Sequence, residues 1–75
     1  MKKELYDMLI GTAEADKKKA LLSLEVFSNA VVEGLELLSL GENAEEALRL
    51  LADSDGRLNA LEKYFKNKSK RQLNG

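Results

Sequence analysis

"SLGENAEE", residues 39–46, interrupts a chain that otherwise reads as helix from end to end. Gly41 is suited to the left-handed conformation that closes a helix. Asn43, with Glu46 three residues on, has the form of a capping box that opens the next one. The reading is helix, very short turn, helix, and so short a connection makes antiparallel neighbours.

The flanking segments carry the periodicity such a hairpin needs. Upstream, Ala20, Leu24, Phe27, Val31, Gly34 and Leu38 alternate at spacings of four and three, the pattern of a heptad seam. Leu21, Val32 and Leu35 widen the stripe on one side, and Val26, Ala30 and Leu37 on the other. An arc this broad suits a helix packed against more than one neighbour. Thr12 after Gly11 fits an N-cap, with Glu14 and Asp16 favourable in the first turn. The first long helix is therefore expected over residues 12–40. Downstream, Ala44, Ala47/Leu48, Leu51, Ser54, Leu58, Leu61 and Phe65 repeat the spacing, which predicts a second helix over 43–67. Residues 2–10, with Leu5, Met8 and Leu9 on one face, form a short third segment that either continues the first helix through Gly11 or folds back as a lid, and Gly11-Thr12 favours the break. Together, residues 1–67 make one helical domain, and 68–75 a basic tail.

Composition supports the same class. Fifteen of the 75 residues are leucine, proline is absent, and Val31-Val32 is the single β-branched pair. Such a chain is all-α. A domain this small seldom stabilises itself by more than about 3–5 kcal/mol, and natural examples recruit disulfides, a metal or a second copy. With no cysteine and no histidine, disulfides, thiolate chemistry and His- or Cys-based zinc sites are excluded. Self-association or a carboxylate-bound metal is the remedy left. The expected architecture is an antiparallel helical hairpin that dimerises into a four-helix bundle. Its interface and core are expected from Leu24, Phe27, Val31, Leu35 and Leu38 of the first helix and Leu48, Leu51, Leu58, Leu61 and Phe65 of the second.

Asp53-Ser54-Asp55-Gly56 raises the question of metal binding. Setting Gly56 at the invariant glycine of a calcium loop puts Asp53 third, Asp55 fifth, Asn59 ninth and Glu62 twelfth. Leu51 then stands in the first place, where a ligating aspartate belongs, and it is also a seam residue. The seam runs unbroken from Leu51 through Ser54 to Leu58, so a continuous or kinked helix is expected, with no metal and no cofactor. Carboxylate pairs such as Glu42/Glu46 and Asp53/Asp55 read as solvated helix surface rather than catalytic groups. No nucleophile–base pair or phosphate-binding glycine loop is legible, and the chain is expected not to be an enzyme.

Charge is segregated along the sequence. Residues 1–19 sum to +1, residues 20–56 to −7 and residues 57–75 to +5, within a net charge of −1. With a turn near residue 41, Lys17, Lys18 and Lys19 share the open end of the hairpin with Lys66, Lys68, Lys70 and Arg71, and the turn end is acidic. That basic end offers a nucleic-acid surface as an alternative role. The leading expectation is a non-enzymatic protein–protein interaction module, an adaptor, inhibitor or regulatory subunit. Its partners would be itself and another protein. No 18-residue apolar run exists, so no membrane span is expected, and the location is expected to be cytoplasmic.

Overall fold

A computed structural model describes residues 1–34 and 37–66, with the side chains of residues 37–39 and 66 outside the description. Helix α1 spans Lys3–Val32 and helix α2 spans Leu37–Leu61, continued by a single π-helical turn, Glu62–Lys66. The two helices pack antiparallel along their lengths. The result is a rod of 58 × 15 × 15 Å whose radius of gyration is 16.9 Å, against about 11 Å for a compact chain of this length. No described helix is long and apolar enough to cross a membrane.

The turn lies seven residues earlier than the cap signals at 39–43 imply. Glu33 ends α1, its N–H bonded to the Asn29 carbonyl at 3.1 Å, and the Gly34 N–H reaches the Val31 carbonyl at 3.0 Å. Gly34 takes φ +85, the left-handed conformation that costs an L-residue roughly 1–2 kcal/mol and glycine nothing. Gly34 is therefore a turn residue and not a seam position, while Gly41 and Asn43 lie inside α2. The expected boundaries of 12–40 and 43–67 are corrected accordingly.

The second correction concerns the break favoured at Gly11; of the two alternatives, continuation holds. Residues 2–10 are not a separate segment: α1 passes through Gly11 without a break. Thr12 does not cap; its hydroxyl donates to the Met8 carbonyl one turn back, at 3.0 Å. Both corrections have one cause. Each local signal weighs about 1 kcal/mol, whether a glycine in a helix interior or an unused cap. A turn at Glu33-Gly34 gives two arms of equal length, 30 residues of α1 against the 25 of α2 plus the five-residue π turn. A turn at 41 would leave residues 3–10 with nothing to pack on.

The interface between the arms is built from small residues. Ala13 and Ala20 of α1 and Ala47, Ser54 and Leu61 of α2 are the buried side chains among the described residues. Each set recurs every seventh position, the period that keeps one face of a helix on its partner. Ser54 is fully buried, and its hydroxyl is satisfied within its own helix by donating to the Leu51 carbonyl at 3.0 Å. The seam expected for α2 holds at Ala47, Ser54 and Leu61, whereas Leu48, offered beside Ala47, is 55% exposed.

Two ion pairs between the helices fix the register. The Arg57 guanidinium donates to the Asp16 carboxylate at 2.6 Å, and to Asp53 of its own helix at 3.0 Å. Lys17 meets Asp55 at 2.9 Å. These pairs place Ala20 level with Ser54 and Phe27 level with Ala47. Alanine and serine there let the helices approach closely, since the interaxial distance follows the side chains at the contact.

Candidate interaction surface

Close approach along an alanine seam has a consequence for the leucines. Leu61 alone among the described leucines is buried in the seam; others stand at its two rims. One rim carries Leu21, Leu24, Ser28 and Val31 of α1 beside Ala44, Leu48, Leu51 and Leu58 of α2. Shallow grooves confirm the grouping: Leu24, Ser28 and Val31 share one with Leu40, Gly41 and Ala44, and Lys17 and Leu21 share another with Leu58. We call this the leucine edge. Leu21 is 48% exposed on it, and Leu24, Leu51 and Leu58 are half-buried.

The opposite rim has a different character. There, Leu9 and Thr12 meet Arg57, Ala60 and Leu61, and the Asp16–Arg57–Asp53 cluster occupies the middle. The Arg57 guanidinium is held above its ordinary pKa, first by its hydrogen bond to Asp16 and then by the charges of Asp53 and Asp16. On its α2 side this rim mixes Asp53 and Arg57 with Ala60, and its α1 side carries Leu5, Leu9 and Val26. Met8 and Leu22 lie further round the same helix, on its outer face.

The residues expected to form core and interface therefore divide. Leu61 is buried, Leu24, Phe27, Leu51, Leu58 and Phe65 are half-buried, and Val31 and Leu48 are exposed. Leu35 and the side chain of Leu38 lie outside the described residues. Periodicity finds these positions but not the Asp16–Arg57 and Lys17–Asp55 pairs. The signal available for them is opposite charge beside the seam positions Ala13, Ala20 and Ser54.

The lysines are redistributed by the corrected turn. Lys17, Lys18 and Lys19 stand at mid-hairpin, level with Asp55 and Arg57, rather than at the open end, and Lys17 is already paired. Lys2, Lys3 and Lys63 are the described basic residues of the open end. Lys63 places its ammonium 5.2 Å from the centre of the Tyr64 ring. Lys68, Lys70, Arg71 and the side chain of Lys66 lie outside the described residues. The shared basic end that motivates a nucleic-acid surface is not assembled from Lys17–Lys19.

The acidic residues diverge in the same way. Residues 51–61, which carry most of the calcium-loop spacing, are continuous α-helix. Asp53 and Asp55 point to opposite rims, one bonded to Arg57 and the other to Lys17. Glu45 pairs with Arg49 one turn on, at 3.2 Å. No group of three or more potential metal ligands converges among the described residues. Against protein-family models, curated proteins and solved structures alike, the chain finds no match.

Proposed function

We propose that this chain is a non-enzymatic interaction module that works as a dimer of hairpins, closing into a four-helix bundle. The observation that carries the reading is the content of the core. A single hairpin buries three alanines, a serine and one leucine among its described residues. Its other described large apolar side chains are half-buried, as Leu24, Phe27, Leu51, Leu58 and Phe65 are, or exposed, as Leu21, Val26, Val31 and Leu48 are. At about 25 cal/mol per Å² of apolar surface, alanine burial contributes little against an ordering cost of roughly 1–2 kcal/mol per residue for the backbone alone. A second hairpin would cover the leucine side chains that the first leaves out, and a symmetric dimer is the commonest closed assembly.

A binding role also accords with the polar groups. The described carboxylates are spread along exposed faces or tied to arginine and lysine in pairs that set the hairpin's register. The test is the mass of the folded chain in solution at micromolar concentration, by sedimentation equilibrium. Twice the 8.3 kDa chain mass supports the reading, and a folded species of single-chain mass removes it.

A further inference from the structure

Both rims of α1 expose apolar side chains to a similar degree: Leu21 at 48% and Val31 at 40% on one side, Val26 at 62% on the other, with Leu22 at 57% on the outer face beyond it. Exposure therefore does not tell them apart, but continuity across the two helices does. On the leucine edge, both helices contribute leucines to one strip, crossed at mid-hairpin by the Lys17–Asp55 pair. On the opposite rim, the arginine edge, α2 sets Asp53 and Arg57 among Ala60 and the half-buried Leu50 seven residues before Arg57, so its α2 side carries less apolar surface. A partner laid along both helices gains the larger apolar contact from the leucine edge.

Charge then sets the direction. From residue 20 to residue 56 the chain carries eight acids and one cation, Arg49. The acids near the turn include Glu25, Glu33, Glu42, Glu45 and Glu46, while Lys17, Lys18 and Lys19 stand at mid-hairpin. Two hairpins with their turns at the same end would set one acidic turn against another, and apposed like charges are costly. Turned end for end, the two acidic turns lie apart, and Glu25 of each copy comes near the other copy's lysines.

Resting on the dimer reading above, we infer that the occupant of the leucine edge is a second copy of this chain, packed with its turn at the opposite end. In this assembly, α1 lies antiparallel to its symmetry mate and α2 to its own. A two-fold axis passing near Leu51 sets Leu51 against its counterpart and Leu58 against Ala44, large against small. The same axis brings Lys18 of each copy within one helical turn of Glu25 of the other. The two pairs are equivalent by symmetry, which fixes orientation as much as affinity.

Two measurements test this separately from the dimer reading itself. The first compares the dissociation constants of Leu21→Lys and Leu48→Lys with those of Leu22→Lys and Val26→Lys by sedimentation equilibrium. All four side chains are well exposed in the single hairpin, so none is needed to fill its seam. The leucine-edge pair should weaken dimerisation by 100-fold or more, the other pair by less than threefold. Equal effects, or the reverse order, overturn the choice of edge. The second is the distance between spin labels on Glu4→Cys, near the open end of α1, in a chain with no other cysteine. Opposite turns predict a separation on the order of 50 Å at 1.5 Å rise per residue. A separation under about 25 Å would place the open ends together and overturn the orientation. A wild-type chain that stays monomeric contradicts the dimer reading, and this inference falls with it. A dimer that fails either of the two measurements contradicts this inference alone.

Discussion

Replacing each of four glycines by alanine, one at a time, should give opposite signs according to where the chain turns. Gly34 is the one described glycine with a positive φ, at +85. An added Cβ there meets nothing within 4 Å, so the cost is backbone strain alone, roughly 1–2 kcal/mol. Gly11, Gly41 and Gly56 are helix-interior, and an added Cβ at each also meets nothing within 4 Å. There, alanine should stabilise by about 0.8–1.0 kcal/mol, the difference in helix propensity. For a domain of this size, 1 kcal/mol moves Tm by roughly 4–8 °C. The four variants should therefore split by about 10 °C, Gly34→Ala below wild type and the other three above it. Thermal unfolding followed by circular dichroism, at one fixed chain concentration because self-association makes Tm concentration-dependent, is the assay. If Gly41→Ala lowers Tm while Gly34→Ala raises it, the turn lies at 39–43 and the register described here is wrong. If Gly11→Ala alone is destabilising, α1 breaks there.

Other predictions follow from the seam and its pairs. Ser54→Leu should cost about 1–3 kcal/mol by overpacking a fully buried site, whereas Ser54→Ala should be neutral or slightly stabilising because its hydroxyl bonds only to its own helix; urea titration compares the two. A double-mutant cycle on Asp16 and Arg57 should show a coupling larger than that of Glu45 and Arg49, because the first pair joins the two helices and is the less exposed. Both couplings should shrink as salt is raised. Substituting Lys18→Glu should weaken the dimer severalfold, and adding Glu25→Lys should restore it, read as dissociation constants by sedimentation.

The second helix was legible from its spacing in a way the first was not. Ala47, Ser54 and Leu61 are apolar or small at seven-residue intervals, and Gly56 falls off the seam, so nothing in 44–65 competes with a continuous helix. The first helix carries misleading punctuation. Gly11-Thr12 has the form of a start, yet the threonine hydroxyl is absorbed by the Met8 carbonyl, and the glycine costs less than breaking a seam that reaches back through Ala13. Gly34 and Gly41 sit seven residues apart, in the same heptad position, so periodicity alone assigns the turn to either. The capping form of Asn43 and Glu46 favours the second, and matching two equal arms favours the first. That choice is made by contacts more than 40 residues apart in sequence, such as Asp16 with Arg57, which no local pattern displays. The leucine edge was half legible. Breadth of the apolar arc pointed to more than one neighbour, but its division into two rims requires knowing that alanine and serine hold the seam.

The account rests on the claim that one hairpin is an incomplete core, and the mass of the folded chain tests it most directly. Sedimentation equilibrium at micromolar concentration, on a sample shown to be helical by circular dichroism, should give twice 8.3 kDa, with helicity lost as dilution drives dissociation. A helical, cooperatively melting species of 8.3 kDa whose Tm does not change with concentration would contradict it.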